Sequence, residues 1–149
     1  MRAFRISVRI DAPAERVWQV MSDVERWHEW TPSVTSIRRL DDGPLALGSV
    51  ALIRQPRFPP AKWKVTELEP ARGFTWVSAA PGVRVVARHS IAADGAGSVA
   101  TLALDYHGML GGVLGRLTRN ITERYLAYEA RGLKARSEDP HFRHAAGGD

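Results

Sequence analysis

With 149 residues, 44% of them hydrophobic and 25% charged, the chain has the size and composition of one ordinary globular domain that can bury a sizeable core. It has no cysteine, which excludes disulfides, thiolate catalysis and cysteine-ligated metal centres and suits a reducing cytoplasm, the expected compartment. The net charge of +5 could attract phosphate or anionic lipid, but the basic residues are spread rather than blocked. That pattern reads as a solvated surface without a nucleic-acid partner, and no apolar run is long enough for stable membrane insertion.

The N-terminus lacks a signal-peptide core and enters a strand directly. Phe4, Ile6, Val8 and Ile10 alternate with Arg5, Ser7 and Arg9, the period of a strand with one buried face. Pro13 and Glu15 then suit the first turn of a short helix with Val17, Val20 and Met21 on its apolar side. Ser22-Asp23-Val24-Glu25 reads as a capping box for a second short helix carrying Val24, Trp27 and Trp30, ended by Pro32.

Strands are predicted next over 34–40, 50–54, 61–66, 74–79, 83–91 and 99–106, with turn residues between them. Two-residue turns at Pro81-Gly82 and Asp94-Gly95 would pair Trp76 with Ala87, Phe74 with His89, His89 with Ala100, and Ala87 with Leu102. Both hairpins then bury the same apolar face, and Arg84 meets Asp105 on the other. Longer loops that move the pairing by two residues would keep the face and change the partners.

From Met109 to about Ser137, Leu110, Val113, Leu114, Leu117, Ile121, Tyr125, Tyr128 and Leu133 keep mostly helical spacing, while Arg116, Arg119, Glu123 and Glu129 supply a solvated side. One long helix lying across the sheet is expected, about 40 Å long at 1.5 Å per residue. The tail, 139–149, has no periodicity and is expected to be poorly ordered, leaving 1–138 as the domain.

Ile10-Asp11-Ala12-Pro13-Ala14-Glu15-Arg16-Val17-Trp18, Trp27-His28-Glu29-Trp30-Thr31-Pro32, Ala87-Arg88-His89 and Gly108-Met109-Leu110-Gly111-Gly112 resemble the START-domain/polyketide cyclase superfamily over about residues 2–137. The resemblance implies the α+β helix-grip fold: a curved antiparallel sheet of about seven strands around a long C-terminal helix, with two short helices after the first strand. It also implies a cavity for a hydrophobic or aromatic molecule. Members include lipid carriers, hormone receptors and ring-closing aromatases, so the fold leaves function open.

Candidate chemistry is sparse. There is no His-Glu-x-x-His, serine elbow or inward carboxylate pair. The glycines of 108–115 follow a strand and open a helix, but Met, Leu and Val between them suit close packing or a mobile entrance better than a phosphate loop. His28 reads as exposed, and His141 and His144 as tail residues, so neither a metal nor a cofactor is expected. His89 faces inward by the register above and needs a partner there; it is the one weak catalytic candidate. The expected ligand-binding residues are Trp30, Trp63, Phe74, Trp76, Ala87, His89, Leu102, Leu104, Tyr106, Leu114, Leu117 and Ile121. The leading expectation is non-enzymatic binding of a lipid, polyketide or similar metabolite, with a cyclase, aromatase or dehydratase as the alternative.

Overall fold

The computed structural model describes residues 2–141. Seven strands form, β1 (Arg2–Ile10), β2 (Ser36–Arg39), β3 (Val50–Arg54), β4 (Ala61–Glu69), β5 (Gly73–Ala80), β6 (Val83–Asp94) and β7 (Gly97–His107). They pair antiparallel in the order β1-β7-β6-β5-β4-β3-β2. Between β1 and β2 lie α1 (Ala14–Ser22) and a 3₁₀ helix, Val24–Glu29. The 3₁₀ form replaces a regular second helix, and Asp23 at its start makes no side-chain cap, so the expected capping box does not close.

The β5–β6 hairpin has the register expected from its Pro81-Gly82 turn, with Trp76 opposite Ala87 and Phe74 opposite His89. In β6–β7 the turn falls one residue later, between Asp94 and Gly97, so His89 faces Leu102 and Ala87 faces Leu104. This is the two-residue slip that preserves the buried face. It places Arg84 opposite His107, and Asp105 accepts a hydrogen bond from Arg88 instead. A bulge between Val65 and Glu67 on β4 puts Leu68 in phase with inward Trp63 and Val65 and bends the sheet there.

The single expected helix is two. α2 (Gly111–Leu117) meets α3 (Arg119–Glu138) at Thr118, whose backbone leaves helical geometry at φ −99°, ψ 8°. Two features cause the break. Thr118 Oγ1 donates 2.7 Å to the Leu114 carbonyl, a back-bond that bends helices. Gly111 and Gly115 also lie so near the first and last strands that a Cβ on Gly115 would stand 2.5 Å from Arg2 Cβ. The glycine-rich segment therefore serves close helix-to-sheet packing.

α3 crosses the concave face of the sheet, completing the helix-grip arrangement. Its Tyr125, Leu126, Ala130 and Leu133 are buried, with α1 contributing Val17, Val20 and Met21 from beside it. Gly132 permits the closest approach: a Cβ there would lie 1.9 Å from the Trp30 carbonyl oxygen. Arg16 of α1 donates to the Ser137 and Arg136 carbonyls at 3.3 Å each, satisfying acceptors that a helix end leaves open. His28 is exposed, as expected. Of the tail, residues 142–149, with His144, lie outside the described residues.

Candidate functional site

Between the sheet and α3 the inward side chains stop short of filling the interior, leaving a cavity of about 310 Å³. That is near the lower end for small-molecule sites. β3 and β4 supply Ile53, Ala61 and Trp63, β5 and β6 supply Trp76, Val85, Ala87 and His89, and β7 supplies Leu102, Leu104 and Tyr106. The roof is Leu114 of α2, Thr118, and Thr122, Tyr125, Leu126 and Glu129 of α3.

The inner end is aromatic. Trp27 is buried and held by a 3.0 Å hydrogen bond from its Nε1 to the Met21 carbonyl. Its ring centroid lies 5.5 Å from Trp76 and 5.4 Å from His89, while Trp63 stands 6.0 Å from Trp76. Such tilted and edge-on arrangements are the favourable ones for aromatic pairs. Phe74 stacks behind His89 at 4.4 Å and supports it from outside the cavity lining.

His89 Nδ1 lies 3.2 Å from the Phe74 carbonyl oxygen. A carbonyl only accepts, so Nδ1 carries the proton and the neutral ring presents an Nε2 lone pair. Burial pushes the imidazole pKa down to about 4, and the Phe74 hydrogen bond opposes this only in part. His89 is therefore a neutral hydrogen-bond acceptor at physiological pH.

Glu129 is the unexpected member. It lines the cavity although its charge suggested the solvated side of the helix. Ser33 Oγ donates 3.0 Å to Glu129 Oε2, and Thr31 Oγ1 lies 2.8 Å behind Ser33 Oγ. Burial raises the Glu129 pKa to about 7, with the Ser33 hydrogen bond pulling the other way. The carboxyl thus exchanges a proton near neutrality. At another part of the roof, Tyr106 OH lies 3.3 Å from Thr122 Oγ1 and 3.4 Å from Thr118 Oγ1.

Eight of the twelve residues expected around the hollow do line it: Trp63, Trp76, Ala87, His89, Leu102, Leu104, Tyr106 and Leu114. Four do not. Trp30 packs on Trp27 and across Gly132, Phe74 lies behind His89, Leu117 is turned to solvent at the helix break, and Ile121 sits half-buried off the lining. Bending at Thr118 rotates the inward stripe to Leu114, Thr118, Thr122, Tyr125 and Glu129. Trp27 and Glu129 were absent from the expectation. The spacing of Glu129, four residues from both Tyr125 and Leu133, was the available signal for it.

A bent sheet, a gripped helix and an apolar hollow with few polar tips agree with the sequence comparison. The model of the family described as "Polyketide cyclase / dehydrase and lipid transport" matches residues 1–138. The chain belongs to this family. No curated protein matches the sequence. Among solved structures, the chain resembles the Zhui aromatase/cyclase of Streptomyces sp. R1128, with TM-score 0.75 at 21% identity over 99% of each chain. Norcoclaurine synthase of Thalictrum flavum, in complex with dopamine and hydroxybenzaldehyde, matches with TM-score 0.71 at 15% identity, over 90% of this chain and 84% of the synthase. A protein of Thermus thermophilus matches with TM-score 0.73 at 19% identity, over 91% of this chain and 97% of that one. At such identities these structures establish the shared fold and leave the contents of the cavity to chemistry. Among the described residues no helix is long and apolar enough to cross a membrane.

Proposed function

We propose that this protein binds a hydrophobic or aromatic small molecule, such as a lipid or polyketide-like metabolite, inside the cavity beneath α3. The observation that carries this reading is the unfilled, mainly apolar hollow of about 310 Å³, with Trp27, Trp63 and Trp76 grouped at one end. Protein interiors normally pack without voids of this size. A planar ligand would stack on the indoles, and His89 Nε2 would accept a hydrogen bond from its hydroxyl or amide. Trp63, Trp76, Ala87, His89, Leu102, Leu104, Tyr106 and Leu114 form the proposed contact set, joined by Trp27 and Glu129.

Native mass spectrometry after gentle purification tests the proposal. A one-to-one mass increment, or uptake of an added apolar ligand at that ratio, is expected. Bare protein that takes up nothing would overturn it.

One observation favours a second reading, a cyclase, aromatase or dehydratase. His89 offers a neutral base and Glu129 a carboxyl poised near pH 7 on the walls of the same cavity. Such groups can take a proton from carbon beside a carbonyl and deliver one to oxygen, while the walls fold the chain for ring closure. His89→Gln turnover equal to that of the parent protein, on any substrate found, would remove His89 from this role.

A further inference from the structure

On α2 and just before it, the apolar side chains that do not turn inward point into water. Met109 is 95% exposed, Leu110 49%, Val113 57% and Leu117 76%, all within nine residues of the α2 segment. Leu114, on the same helix, lines the cavity, so α2 carries apolar side chains on both its inner and outer sides. A contiguous apolar set left outside a folded domain marks an interaction surface.

Two basic side chains beside it are unpaired among the described residues. Arg116 lies within the patch on α2. Leu110 covers Gly82 at the β5–β6 turn, and Arg84 follows two residues on. Both arginines are exposed, and among the described residues neither has a hydrogen-bond or ion-pair partner. Glu123, the nearby acidic residue on α3, is already paired with Arg119 at 3.2 Å.

We propose that this face docks peripherally on an anionic lipid bilayer. Met109, Leu110, Val113 and Leu117 enter the headgroup and acyl boundary, and Arg84 and Arg116 meet lipid phosphates. Short apolar insertion and a few basic residues each give weak attachment, and together they give selective, reversible attachment. Docked this way, α2, whose Leu114 lines the cavity, lies against the bilayer, and an apolar ligand passes beside it between bilayer and cavity. The ligand-transfer part rests on the cavity reading above; the docking part does not.

Sedimentation of the full chain with vesicles tests it. Binding is expected to vesicles with about a third phosphatidylglycerol in phosphatidylcholine, and weak or no binding to phosphatidylcholine alone. Met109→Ser with Val113→Ser, and separately Arg84→Gln with Arg116→Gln, should each weaken binding about ten-fold, and salt should weaken the parent further. Leu47→Ser, at an exposed leucine (66%) outside the patch, should bind as the parent does. Two results overturn the proposal: no preference for the anionic vesicles, or patch variants that bind like the parent. A concentration-dependent dimer that the Met109→Ser/Val113→Ser variant dissociates, with no vesicle binding, overturns it in favour of self-association. Fluorophore uptake by the same proteins without vesicles keeps the two ideas apart. Docking without uptake sinks the cavity reading and the transfer step with it but leaves the docking, and uptake without docking sinks this proposal alone.

Discussion

Replacing Glu129 with Gln asks whether a carboxyl has been carried into an apolar interior. Burial raises its pKa from 4.5 to about 7, despite the Ser33 hydrogen bond. Between those two values the folded chain holds a proton that the unfolded chain has released. Stability associated with this group is therefore intact below pH 4.5, declines as pH rises to about 7, and stays low above it. At about 1.4 kcal/mol per pH unit, the full decline is about 3 kcal/mol. Glu129 is half-buried rather than sealed, and solvent screening reduces this to on the order of 2 kcal/mol. Glutamine keeps the shape and an acceptor for Ser33 but has no charge to bury. His89 acts in the opposite sense, since its pKa falls from 6.5 to about 4 and its contribution is lost as pH drops across that window. Because both proteins retain His89, its effect cancels in their difference. Urea unfolding should find the two nearly equal at about pH 5, and Glu129→Gln more stable by about 2 kcal/mol at about pH 8. A difference that does not change with pH, or a parent protein more stable than Glu129→Gln at about pH 8, would refute the placement of Glu129.

Gly132→Ala should destabilise by at least about 2 kcal/mol in urea unfolding, because the new methyl meets the Trp30 backbone oxygen and a backbone cannot rotate aside; wild-type stability would mean that α3 does not press on Trp30. Leu133→Ala, at a fully buried position, should cost about 2–5 kcal/mol in the same assay. A ligand donating to His89 Nε2 should keep its affinity from neutrality down to about pH 5 and lose it as the ring protonates near pH 4. A midpoint at the ordinary histidine value of 6.5 would place the ring in water instead.

The strands were legible because a half-buried sheet imposes a period of two, and Phe4-Ile6-Val8-Ile10 and Val83-Val85-Ala87-His89 show it plainly. The face of His89 was legible for the same reason. Its partner was not, because Leu102 and Ala100 sit two apart on one face and periodicity cannot choose between them; the turn chose, by using Gly95-Ala96 in place of Asp94-Gly95. The helix was misjudged for a different cause. Periodicity alone assigns large apolar side chains inward, as over a filled core. Over a hollow, the inward stripe can hold Thr118, Thr122 and Glu129, while Leu117 stays outside. The bend at Thr118 depends on a hydroxyl finding the Leu114 carbonyl and on glycines meeting β1 and β7, contacts that no local pattern displays. Trp27 and Trp30 are three apart, which periodicity puts on one side; Trp30 lies past the end of the 3₁₀ helix, at φ −129°, and crosses Gly132 while Trp27 lines the cavity.

The most direct measurement is a titration of the purified, delipidated protein with an apolar aromatic fluorophore, reading both dye emission and indole quenching, beside the variant Ala87→Leu. Ala87 lies on the cavity floor between Trp76 and Leu104, so the larger side chain takes up ligand space while the fold is retained. Saturable one-to-one uptake by the parent with quenching of the clustered tryptophans, and about ten-fold weaker uptake by a folded Ala87→Leu, is the predicted result. Non-saturable uptake, or uptake that Ala87→Leu leaves unchanged, would show that the space under α3 is not where ligands bind.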